Sequence, residues 1–500
     1  MKQNLKLNTC LLICSFSLSC FNSLGQKVIS KNYADPLMET AHQKLTTNIE
    51  HIRFGSISDP INGLTVTWKS EGIEDMIRWG YTKSYEKGTF FGAKRNGYED
   101  YFYDFNFPPI EADATIYYRI FDSSNKKWTD EKTYLSFSSN TGSKFSFLAI
   151  GDSRTNVTDW EKVSNAANNK KTDFTLFTGD IINDGSVAED WNAWFDHGKE
   201  FLEKNLVYHS VGNHECRGNG ETVYPNVFTL PKNTSNTEYY YSFTFGNAIF
   251  ICLNTEEDET GTFPSTQYLW LLNVLEESKD KTWKFVWFHR PFYTTGSHEG
   301  EMNYKMNTWF DAFDTFGVDM IFNGHDHMYE RTKPIQKNSI VVAEYGSNSD
   351  QGRCQIVCGG AGAPLYSPGS ASWLAKGAKK FHYCKIDIDG YDLSFKAYDE
   401  NNVQFDALKL HKSNTVAAHE QYLVETSGVF PNPANSHITI KGDKLEISEI
   451  KIYNLLGQDY SALIRYTSNE KNMITIDLSG LSPGFYFLKT QTATYKIYKK

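Results

Sequence analysis

Basic residues are scarce in this chain of 500 residues, since 50 Lys and Arg stand against 60 Asp and Glu and give a formal net charge of −10. Proteins that bind the phosphate backbone of DNA or RNA generally need the opposite balance. We therefore expect no nucleic acid as a structural partner. Small phosphate esters are still compatible with this charge, because bound metal ions can attract them locally.

The sequence also lacks an apolar run long enough to span a membrane. Its amino terminus has two lysines, then a Ser-rich apolar stretch from Thr9 to about Phe21, and small residues up to Gly25. A spanning helix requires about 20 apolar residues. We therefore predict a secretory signal peptide over residues 1–25 and no transmembrane segment.

Cysteines are too few for a disulfide framework. Of the 8 Cys, three lie in residues 1–25, and the others are Cys216, Cys252, Cys354, Cys358 and Cys384. An odd number excludes complete pairing. Cys354 and Cys358 could still pair with each other.

A glycine-rich phosphate-binding loop is missing as well. The segment GGAGAP at Gly359–Pro364 lacks the Lys-Ser/Thr pair of a P-loop. We interpret it as a tight turn. Phosphate chemistry must then depend on other residues.

Metal-type side chains are present, and they follow successive apolar runs. The runs FSFLAI, FTLFTG, LVYHSV, KFVWF and DMIF are predicted to be buried strands. The candidate metal ligands after them are Asp152, Asp180, Asn213, His289, His325 and His327. Each could by itself be a cap, a turn residue or a satisfied core group. Together they favour a shared site, because loops after the carboxyl ends of strands in an α/β sheet meet in one crevice.

In this order, the motifs GDSR, GDIIN, GNHE, FVWFHR and FNGHDH resemble calcineurin-like metallophosphoesterases of the purple acid phosphatase type. The resemblance covers residues 144–410 and implies a central α/β metallophosphoesterase sandwich. It also implies two divalent or mixed-valence metal ions of zinc, manganese or iron. The first ion would take Asp152, Asp180 and His327, and the second would take Asp180, Asn213, His289 and His325. A hydroxide between the two ions would attack phosphorus in line.

Two further histidines have roles implied by the same resemblance. His214 follows the ligand Asn213 and would be the general acid for the leaving alkoxide, a task that suits the ordinary pKa of imidazole. His298, in the loop HRPFYTTGSHEG, would contact the substrate or would be a solvated loop histidine.

The sequence departs from the family pattern at two positions of the first metal site. Asn183 stands where the purple enzymes have a Tyr, so we predict no purple colour from iron. Arg154 stands where related phosphodiesterases have a ligand His, which removes the usual fourth protein ligand. Arg154 would either clamp the substrate phosphate or hold Asp152 in place.

The flanking segments are predicted to be β-rich. Residues 44–140 alternate apolar and polar residues and resemble the fibronectin type III-like β-sandwich that precedes the catalytic domain in purple acid phosphatases. Such a domain would shape substrate access or act as a passive spacer. Residues 411–428 are polar and indicate a linker. Residues 429–500 resemble, in PNP, YNLLGQ and LSPGFY, the C-terminal sorting domain of type IX secretion, with a small β-sandwich; a carbohydrate-binding or adhesive module is the alternative.

These features predict a secreted binuclear-metal phosphohydrolase, acting as an acid phosphatase on phosphomonoesters. Its partners would be a small phosphate-ester substrate and the type IX secretion machinery. It would pass through the periplasm and be released or kept at the cell surface, on the outer membrane. The alternatives are a phosphodiesterase or nucleotidase, and a surface binding protein with a degenerate site.

Overall fold

The computed structural model describes residues 47–139, 142, 144–257, 265–336, 340–341, 352–412, 429–432, 434–441, 447–454, 458–470, 473–490 and 494–499. The predicted signal peptide and most of the predicted linker lie outside these ranges. Among the helices within them, none combines the length and the apolarity needed to cross a membrane.

The amino-terminal segment consists of short strands. Their bounds are β1 Glu50–Ser56, β2 Leu64–Ser70, β3 Met76–Gly80, β4 Gly88–Phe91, β5 Ala93–Asn96, β6 Tyr101–Asn106, β7 Thr115–Asp122, β8 Lys127–Trp128 and β9 Lys132–Leu135. In the described part of the chain they form two antiparallel sheets, ordered β1-β2-β6-β5 and β4-β3-β7-β8, with β9 also paired to β7. Alternate side chains of β7 are buried, which is the pattern of a strand with one face on a core.

The amino-terminal segment makes direct contacts with the central segment that follows it in the chain. Phe54 of β1 forms a bridge with Leu206, and the Arg53 guanidinium donates to the carbonyl of Val227 at 3.1 Å. The Lys69 ammonium donates to the side chain of Asn192 at 3.0 Å. The two parts therefore share buried polar contacts as well as apolar ones.

The central segment alternates strands and helices. Its strands are β10 Lys144–Ile150, β11 Phe174–Phe177, β12 Val207–His209, β13 Tyr241–Phe245, β14 Ala248–Cys252, β15 Trp283–Trp287, β16 Met320–Asn323, β17 Tyr329–Thr332, β18 Ile335–Gln336, β19 Ile340–Val341, β20 Cys354–Cys358, β21 Leu374–Ala378, β22 His382–Asp389, β23 Asp392–Asp399 and β24 Gln404–His411. Its helices are α1 Val157–Asn168, α2 Ala188–Leu202, α3 Gly220–Val227, α4 Thr266–Glu277 and α5 Asn303–Phe316.

Within the described ranges most of these strands form two large sheets, ordered β12-β11-β10-β22-β23-β24 and β13-β14-β15-β16-β20-β17-β21, and β18 pairs with β19 in a separate two-stranded sheet. Aromatic side chains pack between the sheets. Phe147 of β10 meets Phe250, Phe285 and Phe322 edge-on, with ring centroids 5.1, 5.0 and 6.0 Å away. Edge-to-face packing at these distances is favourable. The core of the domain therefore lies between the two sheets, as predicted for a central α/β sandwich.

Helices cover the sheets. Trp160 of α1 stacks on Trp194 of α2 at 5.5 Å and touches Phe177 of β11 edge-on at 5.8 Å. On the other sheet, Val286 and Ile321 belong to one buried cluster with residues of α4 and α5. Burial on both faces explains why these strands are almost continuously apolar in sequence.

The parallel strands fix the position of the loops that follow them. β10, β11 and β12 run parallel to one another, and so do β14, β15, β16 and β20. Each predicted apolar run is a strand in the structure. The candidate ligands therefore follow strand ends at a common edge.

The carboxy-terminal segment is again made of short strands. Their bounds are β25 Val429–Phe430, β26 His437–Lys441, β27 Lys451–Asn454, β28 Arg465–Glu470, β29 Met473–Asp477, β30 Gly484–Lys489 and β31 Thr494–Lys499. In the described residues they form sheets ordered β25-β26-β29-β28 and β27-β30-β31. Phe485 of β30 packs edge-on against Phe316 of α5 at 5.9 Å, so the segment touches the central domain.

The pairing considered for Cys354 and Cys358 does not form. The two residues are the first and last of β20, and both are buried. An extended strand of this length separates them by about 13 Å. That distance is far beyond the reach of a disulfide.

Candidate metal centre

One group of side chains surrounds His289, directly after β15. Its Nε2 lies 3.1 Å from Oδ1 of Asp180, 3.0 Å from Oδ1 of Asn213 and 3.1 Å from Nδ1 of His325. These are the residues predicted to hold the second metal ion. Their donor atoms converge on a single point, although they come from the loops after four different strands.

A second group lies on the other side of Asp180. Ligand atoms of Asp152, Asp180 and His327 all lie within 4.8 Å of one another. His327 Nε2 is 3.8 Å from Oδ1 of Asp152. Because Asp180 belongs to both groups, its carboxylate is the one positioned to serve two adjacent sites.

Backbone carbonyls orient two of the imidazole rings. His289 Nδ1 lies 2.8 Å from the carbonyl oxygen of Thr178, and His327 Nδ1 lies 3.0 Å from that of Pro364. Each Nδ1–H therefore donates outward, and Nε2 is left to face the pocket. This arrangement is typical of metal-ligating histidines, whose second nitrogen is fixed by an outer partner.

Three of the candidate ligands have an unusual backbone conformation. Asp152, Asp180 and His325 have φ angles of 58°, 53° and 72°, in the left-handed region. Non-glycine residues there carry strain of about 1–3 kcal/mol each, and such residues cluster at functional sites. The sequence gives no sign of this strain, apart from the glycine that precedes each of the three residues.

Glycines also make room for the carboxylates. A Cβ on Gly324 would lie 2.2 Å from Oδ2 of Asp152, and a Cβ on Gly212 would lie 2.4 Å from Oδ1 of Asp180. No side chain fits at either position. The glycines of the GH and GN motifs are therefore required for the close approach of the two aspartates.

The electrostatics of the pocket favour a cation. Burial alone would lower the pKa of His289, but Asp180 and Asp152 raise it to about 10. Burial alone would likewise raise the pKa of Asp180, but His289, His214 and Arg154 hold it below its ordinary value. Burial raises the pKa of Asp152 well above its ordinary range. The two buried carboxylates thus stabilise a positive charge at the position of the His289 Nε2 proton.

The donor set fits a metal ion. Imidazole nitrogens and carboxylate or amide oxygens suit zinc, manganese and iron. A bound ion would replace the Nε2 proton of His289, because a histidine ligand must be deprotonated at the coordinating nitrogen.

Arg154 reaches into the first group. Its Nε donates to Oδ2 of Asp180 at 3.1 Å, and its Nη2 lies 3.0 Å from Nε2 of His327. Asp152 instead accepts the backbone N–H of His325, at 2.9 and 3.0 Å from its two oxygens. The structure thus places the guanidinium on Asp180 and His327 rather than on Asp152.

His214 borders both groups. Its Nδ1 donates to the backbone carbonyl of Asn183 at 2.6 Å, and its Nε2 is 3.7 Å from Oδ2 of Asp180. Burial lowers its pKa to about 4 against the opposing effect of Asp180. The Asn183 side chain is exposed, so this residue contributes its carbonyl to the site.

His298 lies against the second group. Its ring centroid is 3.9 Å from that of His325, and its Nδ1 bonds to the buried carboxylate of Asp326 at 2.8 Å. Thr294 also donates to Asp326, at 2.5 Å. A fixed Nδ1 leaves Nε2 as the nitrogen available to a ligand. The structure therefore brings every residue predicted for the site, including His298, into one neighbourhood.

Sequence reasoning missed Glu215, the last residue of GNHE. Its buried carboxylate accepts the backbone N–H groups of Asp180, Ile181 and Gly212 at 2.9, 2.8 and 2.7 Å. It therefore ties the loop of Asp180 to that of Asn213. Burial and the nearby Asp180 raise the pKa of Glu215 to about 7. Glu215 is part of the GNHE motif, but residue types alone do not reveal that its carboxylate binds backbone N–H groups.

Sequence reasoning also missed a cation on the outer side of His325. Arg290 Nη1 lies 3.2 Å from His325 Nε2 and 2.6 Å from Glu301, and its Nε donates to Glu256 at 2.9 Å. Burial lowers the pKa of His325, and the neighbouring cations lower it further. The ring is therefore neutral, with Nδ1 facing the pocket.

The glycine-rich segment after β20 supports the first group. Ala363 donates its N–H to the carbonyl of Asp152 at 2.9 Å, and Pro364 supplies the carbonyl that orients His327. Tyr366 stacks on His327 with ring centroids 4.4 Å apart. The segment predicted as a tight turn thus holds two of the candidate ligands in place.

Comparison with known proteins agrees with this geometry. Residues 145–329 match the family model of the calcineurin-like phosphoesterases, and residues 428–500 match that of a secretion system C-terminal sorting domain. A phosphoenolpyruvate phosphatase of onion (Allium cepa) is 25% identical over 352 residues, which cover 64% of this chain and 69% of the onion protein. An uncharacterised protein of Mycobacterium tuberculosis is 26% identical over 187 residues, or 33% of this chain. The chain spans about a third, 35%, of that protein's length.

The structural comparison agrees in fold. The purple acid phosphatase PPD1 from yellow lupin seeds (Lupinus luteus) superimposes with a TM-score of 0.62 at 16% identity, covering 74% of this chain and 75% of the lupin chain. The chain therefore carries a calcineurin-like phosphoesterase domain similar to those of purple acid phosphatases, followed by a secretion system C-terminal sorting domain.

Proposed function

We propose that this protein is an exported phosphohydrolase that cleaves phosphomonoesters, with metal ions in two adjacent sites that share Asp180. The observation that carries the proposal is the convergence of the metal-type ligands on both sides of Asp180, beside His214. When bound, such ions clamp phosphate oxygens and lower the pKa of water towards neutrality.

Two histidines of the chain then act on the ester. One contacts the phosphate, and the other donates a proton to the leaving oxygen. The carbonyl of Asn183 holds His214 at Nδ1, so Nε2 is the nitrogen that can carry a proton to the leaving oxygen. Asp326 holds His298 in the same way, which leaves its Nε2 to contact the phosphate. Both rings are fixed before substrate arrives, which reduces the entropy lost on reaching the transition state.

The choice of a monoester follows from the relatives. The onion protein, which aligns with 64% of this chain, is named for its action on phosphoenolpyruvate, a phosphomonoester. The purple acid phosphatase of lupin has the same fold. These similarities favour a phosphatase over the phosphodiesterase or nucleotidase considered from the sequence.

Export is the second part of the proposal. The sorting domain indicates export through type IX secretion to the cell surface or beyond. The predicted signal peptide would first take the chain to the periplasm. The substrate is therefore expected to be an extracellular or surface-accessible phosphate ester.

The test compares two chromogenic esters on the metal-loaded protein. We expect p-nitrophenyl phosphate to be hydrolysed with a kcat/KM at least tenfold above that for bis-p-nitrophenyl phosphate. His214→Ala should lower kcat by about 10²–10³-fold, while His411→Ala, an exposed histidine on β24, should leave it unchanged. Faster cleavage of the diester would support the phosphodiesterase. Metal binding without cleavage of either ester would support the surface binding protein.

A further inference from the structure

The guanidinium of Arg154 lies where the first metal ion would bind. Its Nε and Nη2 are at hydrogen-bond distance, 3.1 and 3.0 Å, from Asp180 Oδ2 and His327 Nε2. Those two atoms belong to two of the three residues that define the first site, Asp152, Asp180 and His327. The side chain is 16% exposed, so it is enclosed by the pocket rather than resting on its rim.

An ion and this guanidinium compete for the same donors. Zinc-type ions bind imidazole nitrogen and carboxylate oxygen at about 2.0–2.2 Å. The lone pairs of Asp180 Oδ2 and His327 Nε2 that would face the ion are used by the N–H groups of Arg154. The two positive charges would also repel each other at short range. The first site therefore accepts an ion only after Arg154 has moved away.

Among the described residues, no guanidinium or ammonium contacts the pocket-facing atoms of the second site. Oδ1 of Asp180, Oδ1 of Asn213 and Nδ1 of His325 meet at His289 Nε2. The nearby guanidinium of Arg290 contacts the outer nitrogen of His325, Nε2, and is held there by Glu256 and Glu301. An ion can therefore enter this site without displacing a charged side chain such as Arg154.

We propose that the guanidinium of Arg154 occupies the first metal position and supplies a positive charge there when no ion is bound. The chain then binds one ion tightly in the second site, and it binds another only by displacing the guanidinium. This inference rests on the proposed metal centre. It adds that the second site fills before the first and that the two sites differ in affinity for the ion.

The inference predicts two separate steps in a metal titration. Chelator-treated full-length protein would be titrated with Mn²⁺ in a calorimeter, and bound manganese would be counted after desalting. We expect one tight ion per chain, and a second ion with a Kd at least about tenfold higher, because a charged side chain must be displaced.

Three variants separate this role from a general structural one. Arg154→Ala should lower the Kd of the second ion at least about tenfold and leave that of the first ion within about threefold. Arg154→Lys keeps a cation of similar reach and should retain the weak second step. Arg217→Ala is the matched control, because Arg217 is exposed and donates to the carbonyl of Asn183 instead of to a ligand; it should bind both ions as the wild type does.

Equal affinities in the wild type would overturn the inference, and so would an unchanged or weakened second step in Arg154→Ala. Two equal ions together with phosphatase activity would contradict only the role of Arg154. A protein that binds no Mn²⁺ at all would contradict the proposed metal centre as well.

Discussion

The two halves of the metal centre are built in different ways. In the second half, donors from the loops after β11, β12 and β16 meet at Nε2 of His289, which follows β15, and among the described residues no guanidinium or ammonium separates them. In the first half, Arg154 lies between Asp180 and His327. The scaffold thus determines where the candidate ligands lie, and in our proposal a single side chain on one loop determines which of two neighbouring sites is open to an ion.

Asp180 should be the most sensitive position, because it belongs to both halves. Asp180→Asn keeps the shape but removes the shared negative charge. We expect turnover of p-nitrophenyl phosphate to fall by about 10³-fold and bound manganese to fall at both sites. The matched control is Asp196→Asn on α2, whose side chain is 71% exposed. Retention of two ions in Asp180→Asn would contradict the bridging role.

A pair of histidine variants should separate the halves. His289→Ala removes a donor of the second site, and His327→Ala removes a donor of the first site. Loss of a ligand should weaken binding by about 100-fold or more, since even outer partners of metal ligands contribute 10–100-fold. After desalting, we expect almost no manganese in His289→Ala and about one ion per chain in His327→Ala. The opposite pattern would reverse the assignment of the tight site.

Glu215→Gln should weaken ion binding in both halves of the centre, because Glu215 ties the loop of Asp180 to that of Asn213. The glutamine would present an amide N–H₂ to backbone N–H groups of Asp180, Ile181 and Gly212 that now donate to a carboxylate. We expect the free energy of unfolding, measured with urea, to fall by about 2–3 kcal/mol, with weaker binding of both ions. Glu200→Gln, an exposed residue of α2, should change neither quantity. Full stability in Glu215→Gln would show that the two loops do not depend on this carboxylate.

Gly359→Ala should disturb the first half more than the second. Its Cβ would lie 2.4 Å from the carbonyl oxygen of Asp326 and 3.0 Å from Oδ2 of Asp152. We expect the weaker ion to bind about threefold to tenfold less tightly, with a smaller loss for the tight ion. Gly142→Ala, where an added Cβ meets nothing within 4 Å, is the control. An equal loss at both sites would mean that Asp152 supports the whole centre.

The smallest expected effect is an absence of colour. Asn183 replaces the tyrosine of the purple enzymes, and the nearby Tyr366 stacks its ring on His327. Iron-loaded protein should therefore show no phenolate charge-transfer band in its visible spectrum. A strong band would place a tyrosine oxygen in the first site.

The sequence predicted which candidate ligands lie together better than it predicted their arrangement. Apolar runs ending in Asp, Asn or His identified the strands and the common edge, because parallel strands of one domain present their carboxyl ends together. Apart from the preceding glycine, nothing in the sequence indicated that Asp152, Asp180 and His325 adopt left-handed backbone. Residue types alone cannot reveal a conformation that the surrounding packing imposes.

Other features depend on contacts between distant parts of the chain. Glu215 binds backbone groups, and Pro364 orients His327 from a segment that looked like a simple turn. The sequence offered two roles for Arg154, a substrate clamp or support for Asp152, and the structure shows contacts to Asp180 and His327 instead of to Asp152. Partners of this kind are separated by tens to hundreds of residues, so periodicity and spacing carry no information about them.

The most direct test measures bound metal and turnover in the same samples. Chelator-treated full-length protein would be titrated with Mn²⁺, and hydrolysis of p-nitrophenyl phosphate would be recorded at each level of bound manganese. We expect no turnover in the metal-free protein, and turnover that rises as the sites around Asp180 fill. Turnover that persists without bound metal, or a fully loaded protein without turnover, would contradict it.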